Sequence, residues 1–228
     1  MKHRQAFTLL ELLMVLVVLA ILITMVIPSM IASKSEANET AAATTLRNIV
    51  QAQVEFVTRK SSDQDKNGTG EYATLAELSG GVPIRESLGG TKRLSPVALV
   101  TAFQTVTANG EVLRQGYYFR LYVPDATGDG VRELAGGGVD PAVDDELAET
   151  AWCIYAWPQR YGTTGRRTMF ANQNGDITFT ESATYTGANA PIVAGAAFAA
   201  PGGADDMLGA VAVNAAGRDG NTWKAAVR

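Results

Sequence analysis

Phe7-Thr8-Leu9-Leu10-Glu11-Leu12-Leu13-Met14-Val15-Leu16, continued without a charge to Ile27 and met by Pro28, decides how this chain is built. Between Leu12 and Ile27 the only polar side chain is Thr24. The apolar stretch from Phe7 to Met30 exceeds the roughly 20 residues that a helix needs to cross a hydrocarbon layer. It is longer than the roughly 7–15 apolar residues of a secretory signal core. Glu11 at its start and the poor cleavage site at Ile31-Ala32-Ser33 also argue against a signal peptide. A plain membrane anchor fits the length, with the basic leader Met1-Lys2-His3-Arg4-Gln5-Ala6 held on the cytoplasmic side. It leaves Glu11 unexplained, because a carboxylate in lipid costs a few kcal/mol and calls for a specific partner.

Ala6, the run Phe7-Thr8-Leu9-Leu10-Glu11-Leu12-Leu13, the apolar stretch and Pro28 together resemble the type IV pilin and type II secretion pseudopilin superfamily. The resemblance implies that residues 1–6 are a leader cut by a prepilin peptidase between Ala6 and Phe7, where the family usually places Gly before the cut. The new Phe7 amine would be methylated, and Glu11 would pair with the amine of a neighbouring subunit. A buried charge is tolerable when an opposite charge meets it in the assembled fibre, and the pairing also sets the register. The partners implied are the peptidase and methylase, other pilin-like subunits, membrane lipid, and an inner-membrane assembly platform with its ATPase. The implied location is the inner membrane, as a single pass with the leader cytoplasmic and the head periplasmic.

The helical pattern continues beyond Pro28, which removes one backbone donor and would kink an ordinary helix. Ser33 to Lys60 holds neither Gly nor Pro, and Leu46, Ile49, Val50, Gln53, Val54 and Val57 recur at three- and four-residue spacing. One helix from Phe7 to about Lys60 is therefore expected: residues 7–30 as the transmembrane and assembly half, residues 31–60 as an amphipathic continuation. From residue 61 the composition turns to Asp, Gly, Asn and Thr. Tyr117–Val123, Trp152–Trp157, Arg167–Ala171 and Ile177–Thr180 read as strands, the last two joined by the turn Asn174-Gly175-Asp176. The predicted fold is α+β and pilin-like, with the long helix packed on a small antiparallel sheet of about four strands. The Ala- and Gly-rich tail from about residue 187 reads as weak strands or partial disorder.

Composition narrows the chemistry. The chain has 228 residues, 46% hydrophobic and 18% charged, with a formal charge of −4. Removal of the leader leaves 17 basic residues against 23 acidic ones, so a nucleic-acid face is not expected. The single histidine, His3, lies in the leader, so the mature chain has no imidazole to activate a nucleophile or bind zinc. Cys153, the only cysteine, stands between Trp152 and Ile154 and reads as a buried strand thiol. Asp144 and Asp145 are adjacent and would point apart in an extended segment, which disfavours an anchored hydrolase.

Two loops alternate oxygen ligands around a glycine: Asp63, Asp65, Asn67, Gly68 and Glu71, then Asp125, Thr127, Asp129, Gly130 and Glu133. Such alternation suits a hard cation such as Ca²⁺, but the positions that would complete an EF-hand are Thr74 and Gly136. Surface Asx turns explain the same residues and are the preferred reading. Some type II secretion pseudopilins are stabilised by Ca²⁺, which keeps the calcium reading open. The function expected is a non-enzymatic pseudopilin-like subunit. The alternatives are a pilin for adhesion, motility or DNA uptake, and a membrane-anchored binding module.

Overall fold

A computed structural model describes residues 7–85 and 91–226, together with an account of every side chain there but that of Met25. Helix α1 runs unbroken from Leu9 to Thr58 through Pro28, about 75 Å at 1.5 Å per residue. Thr8 caps its N-terminus. The second half of α1 lies on the head through Ala42, Leu46, Ile49, Ala52, Gln53 and Phe56, all buried and spaced by three or four residues. Val54 points outward, 54% exposed, so the buried face is rotated from the one that the Val positions suggest. Ala42, Ala52 and Phe56 complete the face. Alanine is small enough to bring the helix close to the sheet.

The sheet has eight strands: β1 (Glu111–Arg114), β2 (Tyr117–Pro124), β3 (Gly130–Arg132), β4 (Cys153–Pro158), β5 (Thr168–Asn172), β6 (Thr178–Thr180), β7 (Ala215–Ala216) and β8 (Thr222–Ala225). Their order is β1-β2-β4-β5-β6-β8-β7, with β3 pairing β2, and all the pairs are antiparallel. The expected strands are β2, β4, β5 and β6. The β5–β6 turn forms at Asn174-Gly175, where Gly175 has φ +79°. Two single-turn helices, α2 (Leu75–Leu78) and α3 (Asp145–Ala148), brace the head beyond the end of α1.

Each face of the sheet carries its own core. On one, Phe119, Leu121, Ile154 and Ala171 pack under α1 and the first loops. On the other, Tyr155, Trp157 and Phe170 pack under residues 185–223, through Ile192, Phe198 and Trp223. The tail expected to be weakly ordered is thus a layer of turns ending in β7 and β8. Its alanines are why it shows no alternation. Ala194, Ala196 and Ala197 are fully buried in close approach to aromatic rings. A Cβ at Gly195 would lie 2.6 Å from the Ala204 carbonyl oxygen, so backbone meets backbone there.

Two arginines bind these layers. Arg120 on β2 reaches Glu111 on β1 and donates to the carbonyls of Ala190 and Ile192, tying the tail to the sheet. Arg218 donates to the carbonyl oxygens of Ala199, Pro201, Gly203, Asp206 and Leu208, so one guanidinium organises the loop wrapped around it.

Candidate functional site

The first turn of α1 is a capping box. The Thr8 hydroxyl accepts the Glu11 N–H at 3.2 Å, and the Glu11 carboxylate accepts the Thr8 N–H and hydroxyl, each at 2.9 Å. The spacing of Thr8 and Glu11 is what permits this reciprocal arrangement. It turns the carboxylate toward the N-terminus of the helix, where the positive end of the helix dipole favours it. Phe7, 81% exposed, stands just before the cap. Ala6, the expected residue before the cut, lies outside the described residues.

From Phe7 to Ile31 the stem exposes its large apolar side chains. It is long and apolar enough to cross a membrane. Its few hydroxyls turn back on the helix. Thr24 donates to the Ile21 carbonyl at 2.7 Å, Ser29 to Val26 at 2.8 Å, and Ser33 to Ser29 at 3.0 Å. Such back-bonding satisfies these three hydroxyls without water, as lipid requires. Pro28 supplies no N–H for the Thr24 carbonyl, and the helix continues beyond it.

The two acidic loops are not built alike, and neither forms a cage. In the first, Asp65 accepts the Asn67 N–H and Asn67 accepts the Thr69 N–H, which are Asx turns. Glu71 leaves the loop for the interior. It accepts from the Ser62 hydroxyl and the Gln64 N–H and lies 3.7 Å from Arg85. Asp63 is half-buried and does not join them.

In the second loop, one Asp125 oxygen accepts the Thr127 N–H, the Thr127 hydroxyl and the Asp129 N–H, and the Thr127 hydroxyl bond leads in holding its acidity below the usual carboxylate range. Glu133 is fully buried, accepts the Ala76 N–H at 2.9 Å, and is pushed up to about 8 by burial. Among the described residues, no group of three or more His, Cys, Asp or Glu side chains could hold a metal ion. Glu71 and Glu133 face inward, and Asp65, Asn67 and Asp125 each give an oxygen to the loop's own N–H groups.

Two interior features have no sequence motif. Arg85 sits between Glu71 and Glu77, 3.6 Å from Glu77. Gln53 exchanges two hydrogen bonds with Ala73, at 2.7 and 2.9 Å. Asp144 and Asp145 form a helix start, where Asp144 caps α3 by accepting the Leu147 N–H, rather than an extended pair. Cys153 is buried as expected, with burial raising its thiol pKa. A groove between α1 and β6 is lined by Glu39, Arg47, Met169, Ile177 and Phe179.

A family model for proteins of unknown function (DUF2950) matches residues 30–190. The chain belongs to the DUF2950 family. Ahead of that match, residues 1–27 fit the prokaryotic N-terminal methylation motif. The two matches meet at Pro28, where the exposed stem gives way to the half of α1 that carries the head. No curated protein and no solved structure matches the chain. The methylation motif places this DUF2950 member in the type IV pilin and pseudopilin superfamily. It is a membrane-anchored, pilin-like protein that prepilin peptidase processes and that assembles with other pilin subunits.

Proposed function

We propose that the chain is a pseudopilin-like structural subunit of a type II secretion system or a related pilus-like fibre, with no enzymatic activity. The observation that carries this reading is the position of Glu11, a single acid at the entrance of an otherwise uncharged, exposed apolar stem. In the membrane the stem is covered by lipid. In a fibre the same residues are covered by the stems of neighbours, so transfer between the two need not expose them to water. The subunit waits as a single-pass protein of the inner membrane, with its head periplasmic. An assembly platform and its ATPase lift it out. In the free chain, the capping box occupies Glu11. A neighbour's Phe7 amine then replaces two neutral donors with a charged one, which makes a stronger bond.

Mass spectrometry of the mature protein is expected to find methylated Phe7 as the first residue, and an intact Met1 would overturn the reading. Glu11→Ala is expected to leave the protein in the membrane fraction while abolishing sheared fibres. Fibres formed as before would overturn the assembly role of Glu11, and no fibres from the unaltered chain would make the stem a simple tether for a binding head.

A further inference from the structure

Charge is distributed unevenly along the head. Near the stem, Asn38 donates to the Thr164 carbonyl at 2.9 Å and Glu39 accepts the Arg166 N–H at 2.8 Å. This fixes the turn that carries the exposed side chains of Arg160, Arg166 and Arg167 against α1. Lys34 lies on the same end of the head, and Glu36, Glu39 and Glu181 are the acids facing this collar.

At the opposite end, Gln64 donates to Asp145 and Asn67 to Glu149, each at 2.7 Å. The Tyr72 N–H donates to the Ala148 carbonyl at 2.8 Å. These bonds gather Asp65, Asp140, Asp144, Asp145, Glu146 and Glu149 onto one surface, with Lys60 and Lys66 the exposed cations of the adjoining loop. Strand β2 joins the two ends, from Tyr117 at the collar to Pro124 at the acidic tip. Measured along α1 from Glu39 to Thr58, they stand about 29 Å apart.

We propose that the acidic tip of one head docks on the arginine collar of a second copy further along the same fibre. This rests on the fibre reading given above. A second copy is the occupant because both halves of the contact, opposite in sign, are carried by this one chain at opposite ends of one axis. Pairing of Glu11 with a neighbour's Phe7 staggers adjacent stems by only about 6 Å, four residues of helix. Tip and collar therefore meet between copies several steps apart. The contact ties successive turns of the fibre together, which stem pairing between neighbours does not do. Asp65, Glu146 and the three arginines are exposed and the other acids half-buried, so the contact selects partner and orientation and responds to salt.

The test uses the full-length chain in cells that assemble it. Glu146→Cys and Arg166→Cys in one chain, mildly oxidised in sheared fibres, are expected to give a ladder of dimers and larger multimers. Either cysteine alone gives none, and the buried native Cys153 takes no part. Glu146→Arg or Arg166→Glu alone is expected to lower fibre yield several-fold, and the two together to restore it. Normal fibres that neither cross-link as a ladder nor respond to single reversal would overturn this contact and leave the fibre reading standing. Absence of fibres from the unaltered chain would overturn both.

Discussion

Glu133 is a carboxyl kept inside the head by one backbone donor, the Ala76 N–H, with Glu77 as a nearby like charge. Burial raises its pKa from 4.5 to about 8, so the folded chain holds this proton over a range where the unfolded chain has lost it. A raised folded-state value stabilises fully below the unfolded pKa, and that stability is lost as pH rises through the folded one. The head is therefore expected to lose stability, by a few kcal/mol, between about pH 4.5 and pH 8. Burial shifts Glu71 and Asp145 in the same direction, while Asp125 shifts the other way. Glu133→Gln keeps the acceptor and removes the titration. Its urea midpoint, measured at pH 5 and pH 8 in detergent, should change less between the two than that of the parent. An equal change in both proteins would show that Glu133 is not the group responsible.

At the scale of elements, Gln53 joins α1 to the loop before α2. Its side chain serves both the N–H and the carbonyl of Ala73, so Gln53→Leu leaves two buried backbone groups unpaired. The expected cost is about 2–4 kcal/mol, read as a lowered unfolding midpoint with the helix content of the stem unchanged. The helix itself was legible in the sequence, since its apolar spacing spans many turns. Gln53 fell in that pattern, yet its partner lies 20 residues away and no local rule finds it. Four strands were legible because aromatic runs end at Pro124 and Pro158, and because Asn174-Gly175 makes a turn. Strands β1, β3, β7 and β8 hold two to four residues each, too short for alternation to register. The helix start with its acid Glu11 was legible, since it is a local event, whereas the Thr8 cap on that acid comes from the structure. The acidic loops are ambiguous in sequence because alternating oxygens serve an Asx turn, the preferred reading, as well as a cation. Only the fold shows that Glu71 and Glu133 turn inward, where Arg85 meets the first.

For the whole molecule, the sheet needs cover on both faces. The amphipathic half of α1 covers one. The tail covers the other, although the family match ends at residue 190, before most of that layer. Beneath it Tyr155 and Phe170 lie 5.0 Å apart between ring centroids and meet Trp223 of the layer edge-on, with Trp157 buried in the same core. The loop around Arg218 closes the layer with a cation supplied by the chain. A head shortened to end at residue 190 would present this aromatic face to water, a loss of about 1.5–3 kcal/mol for each large side chain uncovered. With Tyr155, Trp157 and Phe170 uncovered, the loss is comparable to the 5–15 kcal/mol margin of an ordinary domain. The shortened chain is therefore expected to keep its stem in the membrane but lose the near-ultraviolet circular dichroism of a packed head and become sensitive to protease. Trp223→Ala, which removes one ring and leaves the layer in place, should cost about 3–5 kcal/mol without unfolding the stem. A shortened head that remained protease-resistant would mean that the α1 side of the sheet stands alone and that the tail is an addition to a complete fold.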